Sequence, residues 1–326
     1  MCVETSPQTN TLEQAVSVFV ELQPRLFGIA YRMLGSAVEA EDVVQEVWMR
    51  WQKTDRSAVN NPSAFLTTVT TRLAINVGQS ARVRRETYIG PWLPEPVDTG
   101  ADPYVGAERA EALELALLLV LERLTPAERA TYVLREAFHY EYAEIAEILQ
   151  LSVVNVRKII SRARKHLEAE QRETVDTAEH RRLLEAFVSA AQTGDLATLQ
   201  TLLAPDVVSL SDGNGIRGAA RVPVVGPERV TNLVTANPGF WSGDDMRFLE
   251  ANGLSGAMTF RNGKPLTFLN LAVSPEGIHR LMWVWSPDKI AAFLGSRSRA
   301  TAVPRHVRNA ARSGADGDAP ADRGTG

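Results

Sequence analysis

Apolar residues recur every three or four positions through the first half of the chain and alternate every second position through much of the last third. That pattern predicts two helical units followed by a unit of mixed helix and sheet. Phe19, Leu22, Leu26, Ile29, Ala30 and Met33 form the stripe of a first amphipathic helix that ends near Gly35, a residue suited to a left-handed C-cap. A second helix follows from Ala37 to Trp51, with Val43, Val47 and Trp51 inward and Asp42, Gln45, Glu46 and Arg50 outward. Asn61-Pro62 supplies a cap and a proline at the first position of a third helix, which packs Phe65, Leu66, Val69, Leu73 and Val77. Three prolines and a glycine between Tyr88 and Val97 forbid a helix and predict an extended, stiff linker over 87–107. Helical spacing resumes from Glu108 to Leu124, and Thr125-Pro126-Ala127-Glu128 has the form of a capping box. Two short stripes then follow, Tyr142, Ile145, Ala146 and Leu149, and after the turn Gln150-Leu151-Ser152, Val156, Ile159, Ile160, Ala163 and Leu167. With Ser152 able to cap the second stripe, this is a helix-turn-helix.

Beyond Gln171 the period changes. A helix from Glu179 to Thr193, closed by Gly194-Asp195, and a short one from Leu196 to Leu203 precede strands at Val207–Leu210, Met246–Ala251, Ala257–Phe260, Leu266–Val273 and Ile278–Trp285. The last alternates, with His279, Leu281, Trp283 and Trp285 on one face and Ile278, Arg280, Met282 and Val284 on the other. Two helices and an antiparallel sheet over 178–290 predict an α+β domain, and 291–326, poor in apolar residues, predicts a disordered tail.

The 326 residues carry 44% apolar and 23% charged composition and a net charge of -4, ordinary globular material for two or three domains. Because the whole is mildly acidic, any nucleic-acid surface must come from local segregation of the cations. Such segregation is visible. From Asn155 to Leu167 there is no Asp or Glu, and Asn155, Lys158, Ser161, Arg162 and Lys165 share the face opposite the apolar stripe, as a helix that reads the major groove requires. The third helix is rich in threonine and runs into Arg82, Arg84 and Arg85, a combination suited to single-stranded or melted nucleic acid. A solvated basic helix in an unrelated bundle would show the same charges. The single cysteine, Cys2, excludes an internal disulfide and a cysteine metal cluster. No run of about 18 apolar residues and no leader pattern occurs, so a cytoplasmic location without membrane contact is expected.

The order of an exposed acidic helix (Asp42, Gln45, Glu46), a proline-opened helix with Phe65-Leu66, the Arg82–Arg85 cluster and a terminal helix-turn-helix resembles bacterial sigma factors of the extracytoplasmic-function class. The resemblance covers roughly 12–168 and implies region 2 at 11–86 and region 4 at 108–170. It further implies that Asp42, Gln45, Glu46 and Arg50 dock on core RNA polymerase. Asn60, Asn61, Thr68, Arg72, Asn76, Arg82, Arg84 and Arg85 would recognise and melt the promoter's -10 element. Val154, Asn155, Lys158, Ser161, Arg162 and Lys165 would read the -35 element. Asn61 is already accounted for as a cap, which leaves Asn60 the stronger candidate for framing an extruded base. Asn76 stands where this class usually carries Asp, and Gln150 where glycine is commoner.

Three short stretches extend the resemblance to the subgroup with a SnoaL-like C-terminal extension, a cone-shaped α+β fold. They are Trp92-Leu93-Pro94-Glu95-Pro96, Asp212-Gly213-Asn214-Gly215, and Pro287-Asp288-Lys289 with its flanks. The second departs from the subgroup's loop, since Asn214 replaces a glycine and Ile216 a lysine. The resemblance implies that this domain adjusts activity from within the chain, and Trp92 is expected to pack against it. No covalent chemistry, metal or cofactor is expected; a small ligand in the C-terminal domain is open. Two other readings stand beside this one. A DNA-binding regulator would bind duplex DNA without polymerase, and an enzyme fused to a DNA-binding module would depend on His279, Asp212 or Asp288 as an acid or base.

Overall fold

A computed structural model of the chain describes residues 12–99, 114–168, 172–173, 175–236, 238–241 and 245–301. Cys2, the linker beyond Thr99, the predicted helical start at 108–113 and residues 302–326 lie outside them.

The first helical unit, region 2 by the resemblance, is three helices, α1 (Leu12–Leu34), α2 (Ala37–Lys53) and α3 (Pro62–Glu86). Their ends follow the local chemistry. Gly35 turns the chain at φ +64°, Ser36 caps α2 through Glu39 N, and the Asn61 side chain accepts from Ala64 N at 3.0 Å ahead of Pro62. The second, region 4 by the resemblance, holds α4 (Leu115–Leu121), α5 (Pro126–Glu136), α6 (Tyr142–Leu149) and α7 (Val153–Glu168). Thr125 and Glu128 form the expected capping box, and Ser152 Oγ accepts from Asn155 N at 3.2 Å. Gln150 occupies the left-handed turn at φ +56°, a conformation that glycine enters without strain.

The two helical units, legible in the sequence as separate modules, share one hydrophobic core that runs from Ala15 through Leu66 and Leu124 to Leu167. Periodicity marks which face of a helix is apolar and carries no information on which helix will cover it.

The third unit begins with α8 (Thr177–Thr193) and α9 (Leu196–Leu202). It continues through β1 (Leu203–Asp212), β2 (Val224–Val225), α10 (Pro227–Thr235) and α11 (Pro238–Trp241). It closes with β3 (Met246–Ala251), β4 (Leu254–Arg261), β5 (Lys264–Ser274), β6 (Gly277–Val284) and α12 (Pro287–Thr301). The strands make one sheet in the order β2-β1-β6-β5-β4-β3. It is mixed rather than wholly antiparallel, because β1 runs parallel to β6. The intervening helices and hairpins bring the chain back to the edge of β1 in the same direction.

Both faces are covered. Leu271, Leu281 and Trp283 pack under α8, α10 and α11, while Met258, Phe268, Met282 and Val284 pack against Leu93, Leu115, Ile290 and Phe293. The alternation expected along β6 breaks at its start. A register shift between Ala272 and Val273 puts Ile278 in the helix-side core with Leu281 instead of on the opposite face. The expected disordered tail is also corrected for 291–301, which continue α12. Ile290, Phe293 and Leu294 recur at helical spacing and bury against the sheet.

His279 stands half-buried in this sheet domain. Burial first, and then the nearby Arg172 and Arg280, push its pKa down to about 4 from about 6.5. The unfolded chain therefore binds this proton more readily than the folded one, so stability present above about pH 6.5 drains as pH falls toward about 4. His180, held by Leu271 O at 3.1 Å and also depressed by burial, acts in the same direction. Melting temperatures of wild type and His279→Gln between those pH values should show a shallower acid limb in the variant.

Candidate polymerase and nucleic-acid interface

The outward side of α2 presents Asp42, Gln45 and Arg50 to solvent with Glu46 half-buried beside them, and Arg50 Nε donates to Glu46 at 2.9 Å. Val43, Val47 and Trp51 point into the core. Trp51 also donates its indole N–H to Ala15 O at 3.1 Å, which fixes α2 against α1 and sets the azimuth of the acidic face.

On α7 the apolar stripe is buried while Asn155, Lys158, Ser161, Arg162 and Lys165 are all exposed. Val154, 62% exposed at the helix start, stands where an apolar contact to a base edge would be made. Arg162 makes only a loose 3.9 Å pair with Glu128. The cationic face is therefore open to a phosphate backbone.

The face assigned to the -10 element divides. Asn60, Asn61, Asn76 and Arg82 are exposed and Thr68 is half-buried, its hydroxyl donating to Ala64 O. Arg72 reaches across to region 4 and donates to Ile148 O at 3.1 Å. Arg84 pairs with Glu39. Arg85 does not lie on open surface, since it pairs with Glu122 of region 4, donates to Leu34 O and sits 3.5 Å above the Trp92 ring. Most of the threonine row is likewise turned inward. Thr67 shares a hydrogen bond with Tyr140 at 2.9 Å, and Thr70 and Thr71 are buried. Small polar residues let α3 approach region 4 closely, a packing reason invisible in the sequence.

Residues 87–99 run extended between region 2 and the sheet domain and bond to both. Toward region 2, the Glu95 carboxylate accepts from Ser36 Oγ at 2.9 Å and Ala37 N at 2.7 Å, adding a charge at the N-terminus of α2. Its backbone N donates to Gly35 O at 2.7 Å and its carbonyl accepts from Tyr31 OH at 2.6 Å. Toward the sheet, the buried Asp212 carboxylate accepts from Leu93 N at 2.8 Å, from Lys289 Nζ at 2.6 Å and from Tyr88 OH. Lys289 also donates to Leu93 O, and burial lowers its pKa while Asp212 opposes that shift. Trp92 lies between the two cations, with Arg85 over its ring and Lys289 Nζ at 4.2 Å. Asn214 Oδ1 accepts from Ile89 N at 3.3 Å, and Asn252 pairs with both backbone groups of Val97. Pro94 and Pro96 are buried, and Gly213 and Gly215 form the turn that admits Ala219 and Ile89 closely. Pro287 opens α12 and sets Lys289, while Asp288 is exposed beside Glu95 and Arg85.

The structure brings residues of the three stretches together, and with them Tyr31, Tyr88, Glu122 and Asn252, which no motif singled out. Their partners lie 64 or more residues away for Tyr31, Tyr88 and Asn252, and no local pattern marks such pairs. Gly35 is a sensitive point, since a Cβ there would meet Trp92 at 2.9 Å in a left-handed backbone. Gly35→Ala should lose about 1–2 kcal/mol in urea unfolding from backbone strain alone.

Asp212 and His279 lie toward opposite ends of the β1–β6 pair, and Asp212 is consumed by its ion pair. They form no common acid–base site. No helix among the described residues is long and apolar enough to cross a membrane, and no group of three or more metal-ligating side chains occurs among them.

Comparison with known proteins bears on the two helical units. Sigma-70 region 2 matches residues 18–87, and Sigma-70, region 4 matches residues 114–167. Over 315 residues, 90% of this chain and 99% of the relative, the sequence is 35% identical to the ECF RNA polymerase sigma factor SigJ of Mycobacterium tuberculosis (strain ATCC 25618 / H37Rv). The chain belongs to the extracytoplasmic-function RNA polymerase sigma factors. The crystal structure of M. tuberculosis SigJ matches this sigma factor with a TM-score of 0.69 at 34% identity, covering 85% of this chain and 98% of that one. The probable ECF RNA polymerase sigma factor SigI of M. tuberculosis (strain CDC 1551 / Oshkosh) is 35% identical over 209 residues, 63% of this chain and 70% of its own. As a member of this family the protein is a transcription initiation factor and not an enzyme.

Proposed function

We propose that the C-terminal domain restrains this sigma factor in cis by holding regions 2 and 4 closed on each other. The observation that carries the reading is that region 4 occupies part of the surface assigned to the -10 element, through Arg72 to Ile148 O and Arg85 to Glu122. The size of the pair supports it. Elements near -10 and -35 are separated by about 25 base pairs, or roughly 85 Å of duplex at about 3.4 Å each. A compact pair of about 155 residues has a radius of gyration of only about 15 Å. To engage both elements the shared core must open, which frees Arg72 and Arg85 for phosphate.

In this reading Asp42, Gln45, Glu46 and Arg50 dock on core polymerase. Asn60, Thr68, Arg72, Asn76, Arg82, Arg84 and Arg85 serve the -10 element, and Val154, Asn155, Lys158, Ser161, Arg162 and Lys165 the -35 element. The third domain is SnoaL-like, with helices closing one face of a sheet over an aromatic cleft, and its grip on the linker around Trp92 is the restraint. A location in the cytoplasm follows from these partners.

The test pairs dyes on α3 and α7, in a Cys2→Ser background, with transcription by core polymerase from a promoter the protein selects. Trp92→Ala should lengthen the α3–α7 distance and raise promoter output severalfold. If both stay at wild-type values, the restraint reading falls.

A further inference from the structure

Gly78, Arg82 and Arg85 recur at i, i+4 and i+7 and so share one face of α3. That face meets Leu34 at the end of α1 and Pro126 and Arg129 of α5, and these residues line a crevice of about 20 Å³ in the seam between regions 2 and 4. Its walls are crowded with positive charge. Arg129 donates to Glu122 at 2.6 Å and to Met33 O at 2.7 Å, while Arg85 donates to the other oxygen of Glu122 and to Leu34 O. Glu122 is thus shared by two guanidinium groups, both mostly buried. Arg82 has no ion-pair or hydrogen-bond partner among the described residues. Three cations therefore face one carboxylate, an excess of two positive charges. Burial lowers the Arg85 pKa, Glu122 opposes that shift, and the like charge of Arg129 adds to it. Glu39, the other carboxylate acting on Arg85, is already held by Arg84.

We propose that this crevice binds a single monoatomic anion of about the size of chloride. A hole of about 20 Å³ holds one water-sized sphere, which excludes sulfate, phosphate and carboxylate ligands. A water molecule fits as well but brings no charge, whereas an anion halves the excess between guanidinium groups that the fold has already placed. A cation is repelled by the same three side chains.

The anion sits where the two helical units meet. Arg82 and Arg85 come from region 2 and Arg129 from region 4, so the complete site exists only while the units are closed on each other. By linkage, binding stabilises the closed pair. Arg82 and Arg85 are also assigned to the -10 element, so the anion competes with promoter phosphates for the same groups. This coupling rests on the restraint reading, whereas the site itself does not.

Chloride NMR line widths on the full chain, with chloride replacing gluconate at constant ionic strength, test the site. Gly78→Ala keeps every charge and places its Cβ 3.6 Å from Pro126 Cβ and 3.7 Å from Leu34 Cδ2, ordinary contact distances, so it should fold and fill the crevice. Broadening should saturate in the wild type and be lost in Gly78→Ala. Arg82→Gln should weaken chloride about 5-fold, the scale of one exposed ion pair, and Arg217→Gln, which removes an exposed arginine of the third domain, should change nothing. No saturable broadening, equal broadening in wild type and Gly78→Ala, or a loss in Arg217→Gln as large as in Arg82→Gln would each overturn the site. Should Gly78→Ala fail to fold, anomalous scattering from a bromide-soaked crystal of the wild type decides instead, and a crevice without bromide overturns it. Chloride should shorten the α3–α7 distance of Trp92→Ala, and an unchanged distance overturns the coupling. If Trp92→Ala already has the wild-type distance in gluconate, the restraint reading falls and the line widths still decide the site.

Discussion

Asp212→Ala should destabilise this sigma factor by about 3–5 kcal/mol, the usual cost of stranding one member of a buried ion pair. Lys289 is 8% exposed at its side chain and Asp212 0%, so water cannot replace the lost partner. The same substitution removes the acceptor for Leu93 N and Tyr88 OH, two further donors in the junction. Asp212→Asn separates the effects, since its one amide oxygen still accepts from Leu93 N and its amino group can donate to the Tyr88 oxygen, yet the ammonium is left without a counter-charge. Urea unfolding followed by tryptophan emission measures the loss, and limited proteolysis of residues 87–99 shows whether the linker lets go first. A cost below about 1 kcal/mol, the level of an exposed pair, would mean that the junction contributes little to the fold.

Replacing Lys158, Arg162 and Lys165 together by alanine should leave folding nearly unchanged and weaken promoter binding steeply. All three are exposed on α7, and the helix is anchored by Val156, Ile160, Ala163 and Leu167 on its other side. If each contacts one phosphate, the slope of log affinity against log salt should fall by roughly 2.7, at about 0.9 per phosphate on duplex DNA. Asn155→Ala should behave differently, costing about 1–3 kcal/mol on the preferred promoter and little on a scrambled one, as expected of a base contact. Salt titrations of the polymerase holoenzyme on both DNAs read these effects. An unchanged slope in the triple variant would remove α7 from the DNA surface.

The helix ends were legible because they depend on neighbours in the chain. Asn61, Thr125 with Glu128, Ser152 and Gly194 each act within a few residues, and all cap as their chemistry requires. The open face of α7 was legible for a related reason, since a stripe of Val156, Ile160 and Leu167 dictates which side is left for Lys158 and Lys165. Where local rules stop, a distant surface intervenes. The threonines of α3 and Arg85 suit nucleic acid in sequence, and in the closed molecule Tyr140 holds Thr67 while Glu122 and Trp92 hold Arg85. Residues 291–301 read as tail because they carry few apolar side chains, yet they continue α12, whose Ile290 and Phe293 pack against Met258, Phe268 and the rest of that sheet face.

The order of helices, their caps, the helix-turn-helix and the three motifs around the linker are properties of short segments, determined by side chains within about one turn or one strand of each other. Which cations stay free, how the proline segment bonds on both sides, and that regions 2 and 4 close over one core were decided only in three dimensions. Burial and charge pairing depend on partners such as Asp212 and Lys289, 77 residues apart, which only the folded chain brings within 2.6 Å.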